Sequence, residues 1–193
     1  GKGDYEDIVQ INGAYFVLES DGDLHYFEKG NSASYVKYEF EVEKKTEFES
    51  LVHYPHERRL VLITKDHRLE KDAIYAYAFD LVSKRFYSTP YFTISRREIA
   101  NAAKDVSAVC KPSAAAINPV HNKLFIIASV GKILLQCSLD GKVENAFLIN
   151  PAQFQQPEGI SFASNGDMYI SNEGLHGKAT LLKFPYNQAL VSK

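Results

Sequence analysis

"FQQPEGISFASNGDMYISNEG", residues 154–174, is a pair of apolar-alternating runs joined at Asn165-Gly166. Alternation at period two suits a half-buried strand, and Asn-Gly suits the positive-φ turn of a two-residue hairpin. Pro157-Glu158-Gly159 stands in front of the first run. The same unit opens at three other places: "DYEDIVQINGAYFVLES" from Asp4, "EFESLVHYPHERRLVLITK" from Glu47 and "PSAAAINPVHNKLFIIAS" from Pro112. Glu6, Glu49 and Glu158 share one slot, and the third copy is read with Ala115 there. The intervals are then 43, 66 and 43 residues, so the long one is a repeat plus an insertion of about 23.

Each unit continues into a third run ("DLHYFEK", "AIYAYAFD", "KILLQCSL", "ATLLKFP"), and three units add a fourth ("YVKYEFEV", "RFYSTPYF", "VENAFLI"). Asn12-Gly13, Asp21-Gly22 and Asp140-Gly141 supply further hairpin turns. Four antiparallel strands every 43 residues is a propeller period. A sandwich would give short strands without one opening motif at a fixed spacing. The chain is therefore read as all-β, a single β-propeller domain over 1–193 with four-stranded antiparallel blades. Four blades are recognisable, at about 4–43, 47–94, 112–150 and 156–186. Ser95 and Glu98 form a capping box, which predicts a helical insertion over about 95–105. The fourth unit has no fourth run and the first starts at once with its inner strand. The expectation is a parent propeller of five or six blades, the missing part upstream, and an open blade edge available for association.

Composition excludes several classes. With 45 % hydrophobic and 24 % charged residues the chain is an ordinary globular one, and a net charge of −2 offers nothing to nucleic acid. No apolar stretch is long enough for a transmembrane helix. Cys110 and Cys137 are expected to be buried free thiols. G-x-S-x-G, H-E-x-x-H, C-x-x-C and the P-loop are all absent from the sequence. His53 and His56 are expected in a solvated turn, Asp21-Gly22-Asp23 in a hairpin, and His25, His67, His121 and His176 at the surface.

The segments "DYEDI…VLESDGDLHYF", "KPSAAAINPVHNKLFIIASVGKILLQCSLDGKV" and "QPEGISFASNGDMYISNEG" resemble the SdiA-regulated family of bacterial β-propellers, over about Asp4 to Phe184. The resemblance is strongest to versions from Bacteroidetes-type bacteria. It implies export to the periplasm or cell envelope, often with a lipid anchor, and one further blade upstream. It implies no particular reaction. A more distant likeness to phytase-like esterase propellers implies calcium and phosphate-ester chemistry.

The inner strand of a propeller blade lines the channel, so Glu6, Glu49 and Glu158 are expected at equivalent places, with Lys65 and Glu173 at the ends of second strands. Converging carboxylates need compensation. They can accept strand N–H bonds and stitch blades, pair with Lys65 as a built-in counter-ion, or hold calcium, for which Glu6, Glu49, Glu158 and Glu173 are the candidate ligands. Two functions follow. One is a non-enzymatic exported binding or scaffold propeller, taking a small molecule, glycan or protein at the site of Glu6, Glu49, Lys65, Glu158 and Glu173. The alternative is a calcium-dependent phosphoesterase or esterase.

Overall fold

Left-handed backbone at Asn12 (φ 50°) and Gly13 (φ 84°) closes the hairpin between β1 (Tyr5–Ile11) and β2 (Ala14–Glu19). The computed structural model describes residues 3–42, 46–67, 71–105, 107–174 and 177–187. β3 (Leu24–Glu28) and β4 (Asn31–Tyr38) complete an antiparallel sheet in the order β1-β2-β3-β4. A second sheet holds β5 (Glu47–Tyr54), β6 (Arg59–Asp66) and β7 (Ala73–Asp80). Its outer edge is two short strands, β8 (Arg85–Phe86) and β9 (Phe92–Ser95), both paired with β7. The third sheet is β10 (Lys111–Asn118), β11 (Lys123–Val130), β12 (Ile133–Cys137) and β13 (Val143–Leu148). The fourth has three strands, β14 (Pro157–Phe162), β15 (Met168–Asn172) and β16 (Thr180–Phe184). These sheets, each wound in chain order, are four propeller blades, and the fold class is an all-β β-propeller. The helix α1 (Arg96–Ala103) lies between blades 2 and 3 in sequence, and the Glu98 N–H points to Ser95 Oγ at 3.4 Å.

The chain divides into two compact units, Gly1–Glu98 and Ile99–Lys193. In the first, Phe16, Leu18, Leu24 and Phe40 of blade 1 bury against Phe48, Leu51, Leu62, Tyr77 and Phe79 of blade 2. Phe40 meets Phe48 and Tyr77 edge-on, at centroid distances of 5.0 and 5.2 Å, a favoured aromatic geometry. Gly22 lies beneath this cluster, where a Cβ would come within 2.8 Å of the Phe48 ring. In the second unit Ala114, Ile127 and Leu134 of blade 3 pack with Ile160 and Ile170 of blade 4. Phe154 joins the same core with Ala114 and stacks on Phe184 at 5.9 Å. Cys110 and Cys137 are free and buried.

One irregularity recurs in every inner strand. The pairing register skips a residue between Tyr5 and Asp7, Phe48 and Ser50, Pro112 and Ala114, and Pro157 and Gly159. The bulged residues are Glu6, Glu49, Ser113 and Glu158. The repeat's opening residue is thus a β-bulge, which leaves the ladder and re-aims its side chain. The third-copy equivalent is Ser113, not Ala115. Ala115 pairs with Ile126 as Ile8 pairs with Val17 and Leu51 with Leu62, two residues past the bulge.

Candidate functional site

In the first unit the bulge of β5 aims Glu49 at Lys65, near the end of β6, and the two form an ion pair. The hydrogen bond from Lys65 to Glu49 raises the lysine's pKa above its ordinary value, and the charges of Glu47 and Glu6 add to the effect. Lys65 thus pairs with Glu49 and lies within the field of Glu47 and Glu6. In the second unit Glu158 is half-buried on its bulge. Glu173 is tied to Gln156 twice: its carboxylate accepts from Gln156 Nε2 at 2.8 Å, and its N–H donates to the Gln156 carbonyl at 2.8 Å.

Sequence reasoning passed over the neighbour of Glu6. Asp7 Oδ2 accepts the N–H of Leu51 in the next blade at 2.7 Å, and Oδ1 accepts the Ile8 N–H at 2.7 Å. Burial outweighs both bonds and pushes the Asp7 carboxyl up to about 6. A second link between these blades runs from the Phe48 N–H to the carbonyl of Ser20, just past β2, at 2.9 Å. In the second unit Ser113 plays the bridging part. Its Oγ donates to the Pro157 carbonyl of blade 4 at 2.6 Å and accepts the Ser129 N–H at 3.1 Å. Lys132 joins the same region, its Nζ donating to the carbonyls of Ser129 and Gln155 at 2.7 and 2.8 Å.

Among the described residues, the acidic side chains that converge closely enough to share a cation are Glu19, Asp21 and Asp23. Glu19 and Asp23 already have side-chain partners, and Asp21 Oδ1 accepts the Asp23 N–H at 3.2 Å. Lys37 Nζ lies 3.1 Å from Glu19 Oε2 and 2.7 Å from Asp23 Oδ2, and His25 Nε2 lies 2.8 Å from Glu19 Oε2. The hydrogen bond from His25 is the main reason the Glu19 carboxyl sits below its usual range. Asp23 also caps the chain beyond β4, accepting the Phe40 N–H at 2.7 Å.

His56 is exposed in the turn between β5 and β6, as expected, whereas other histidines depart from expectation. His25 is buried, between Glu19 and the Tyr35 hydroxyl 2.9 Å away, and His67 is buried on the ring of Tyr75 at 4.6 Å. His53 is half-buried on β5, and burial holds its pKa below the ordinary value. His121 is half-buried and faces Tyr186 at 5.4 Å. His176 lies outside the described residues.

Blade 1 also has a face with a telling exposure. Tyr5 and Ile8 are 50 % and 56 % exposed, and with Val17, His25, Phe27 and Tyr35 they line an open, mostly apolar hollow of about 510 Å³ that Glu6 and Asp7 also border. Their register equivalents in blade 2 are Phe48 for Tyr5, Leu51 for Ile8, Leu62 for Val17 and Tyr77 for His25. Phe48 is fully buried and Leu51 only 2 % exposed, both in the core shared with blade 1. The same face is covered in one blade and open in the other.

Comparison with known proteins adds the fold and no more. No family model matches the chain, and no curated protein matches it. Among solved structures it is similar to a structural-genomics protein of unknown function from Bacteroides thetaiotaomicron, with a TM-score of 0.56 and 10 % identity. The match covers 90 % of this chain and 46 % of that one. The chain thus spans about half the length of that structure. Among the described residues, no helix is long and apolar enough to cross a membrane.

Proposed function

We propose that the chain is a binding and scaffold propeller with no reaction of its own, whose blade-1 face receives a further blade. The observation that carries this is the exposure of Tyr5 and Ile8 on blade 1, whose register equivalents Phe48 and Leu51 are buried on blade 2. An apolar face built to the same pattern as a covered one is a docking face. The Ile8 N–H stands where the Leu51 N–H stands in blade 2, but Asp7 Oδ1 already accepts it, so the apolar side chains carry the docking. Lys65, set among Glu6, Glu47 and Glu49, supports a structural role for the opening carboxylates, since its ammonium neutralises charge that calcium would otherwise balance. Glu158 and Glu173 are read in the same way, as blade-stitching and turn-fixing groups. The resemblance to SdiA-regulated propellers supports an exported protein of the periplasm or cell envelope.

A protein in which residues 4–46 are repeated ahead of Asp4 tests the docking face, because the added copy presents to Tyr5 and Ile8 the surface that blade 1 presents to blade 2. We expect slower hydrogen exchange at the Ile8 amide and along β1, with a higher melting temperature. Unchanged exchange at β1 would contradict the proposal. The calcium-dependent hydrolase is tested separately, by melting with calcium and with EDTA beside a phosphoesterase assay. The scaffold reading predicts no difference in melting and no turnover. A calcium-dependent rise in melting temperature that Glu49→Gln abolishes would favour the hydrolase.

A further inference from the structure

The turns that join β1 to β2, β3 to β4, β5 to β6 and β7 to β8 enclose a groove of about 730 Å³ in the first unit. It lies at the opposite end of β5 and β6 from Glu49 and Lys65. Its floor includes Ile11, Phe16 and Tyr26, and its mouth carries Lys29, Arg58 and Lys84. Glu28, the acidic residue of the lining, is engaged by the Tyr26 hydroxyl and by Asn31 Nδ2, each donating at 3.2 Å. Among the described residues, none of the three cations has an ion pair or a side-chain hydrogen bond. Lys84 is oriented by the rings beneath it, with Nζ 5.4 Å from the Phe16 centroid and 5.6 Å from that of Tyr26.

The backbone fixes the two central cations in place. Arg58 and Lys84 both hold left-handed φ, 51° and 58°, at turn positions where glycine or asparagine sits more easily. Lys132, at φ 52°, shows what fixes a lysine in such a place, since its ammonium holds two carbonyls. Arg58 has no comparable structural partner. Lys104 holds φ 54° as well, so these turns fix where the two cations stand, and the groove and its unpaired charges carry the site.

We propose that this groove binds a small molecule through a phosphomonoester group, with Arg58 and Lys84 as its principal contacts and Lys29 at the rim. Separate cations from different turns suit a dianion, an arginine fork reads phosphate oxygens in pairs, and a lysine adds a point charge. The apolar floor beside Lys84 takes the uncharged part of the ligand. The proposal does not depend on the docking face of blade 1.

The test is an NMR titration of the 193-residue protein with inorganic phosphate and with glucose 6-phosphate, against glucose and citrate as controls. Saturable shifts are expected at the amides of Asn12, Gly13, Arg58 and Lys84 with both phosphates and not with glucose. The double variant Arg58→Gly/Lys84→Gly should bind about tenfold more weakly or worse. Because glycine accepts the left-handed backbone, the variant should remain folded. Should it not, Arg58→Asn alone keeps the turn conformation and should weaken binding as well. Absence of saturable shifts at these amides, equal affinity in the variants, or preference for citrate or glucose would overturn the assignment.

Discussion

Asp7 sets a pH dependence that can be isolated. Burial pushes its carboxyl up to about 6 in the folded chain, from the ordinary 3.8 that holds when the chain unfolds. Between those values the folded state holds more protons than the unfolded state, so this group's contribution to stability falls as pH rises from about 4 to about 6 and is level above that. Asp80 and Asp167 act in the opposite sense at lower pH. Their carboxyls are held at about 2, Asp80 chiefly by the Ser83 N–H and Asp167 chiefly by Lys183, and stability that depends on them is lost as pH falls below the usual carboxylate range. The prediction is that Asp7→Asn removes the falling limb between pH 4 and 6 and leaves the loss at lower pH in place, as read from urea midpoints across that range. Which residue did the stitching was not legible. "YEDI" contains two adjacent carboxylates, and a bulge at Glu6 decides which one points at the next blade. A period-two pattern carries no sign of an inserted residue, and for the same reason Ala115 was read in the place of Ser113. His25 and His67 were misread because a histidine near a turn gives no signal of the aromatic and acidic partners that bury it.

At the scale of elements, blades are joined by a few polar bonds laid over an apolar interface. Ser113 is the clearest case, since one hydroxyl serves a carbonyl of the next blade and an N–H of its own blade. Ser113→Ala leaves both backbone groups without that partner in a buried place and should cost about 1–3 kcal/mol, measured by chemical denaturation. Ser113→Gly should fare no better, having no hydroxyl to offer. The hairpins were legible because Asn-Gly and Asp-Gly turns demand positive φ, and Gly22, Gly141 and Gly166 all have it. The helix α1 was legible from its capping box. The outer edge of blade 2 was not: "RFYSTPYF" reads as one strand, yet it breaks into β8 and β9 around Pro90, which has no N–H to give a ladder. A local device recurs that periodicity also hides. Asp23 caps the Phe40 N–H and pairs with Lys37, while Asp167 caps the Tyr186 N–H at 2.8 Å and pairs with Lys183. Each "GD" hairpin thereby fixes the strand beyond its neighbour.

At the scale of the whole molecule, each unit builds its core from two blades, and the first shows in one place a blade face both covered and open. The 43-residue spacing made the blades readable, because it brings the same apolar rows to the same side of each sheet. Exposure of those rows is not in the sequence: Ile8 and Leu51 sit in the same slot of similar segments. The docking claim therefore rests on a difference that point substitutions can weigh. The direct measurement is a pair of urea unfolding curves, for Leu51→Ala and Ile8→Ala. Truncating Leu51 should cost about 2–5 kcal/mol, as for a buried leucine. Truncating Ile8 should stay within about 0.5–1 kcal/mol, as for an exposed site. Equal large losses at the two positions would mean that the blade-1 face is already covered in the isolated protein, and would contradict the account.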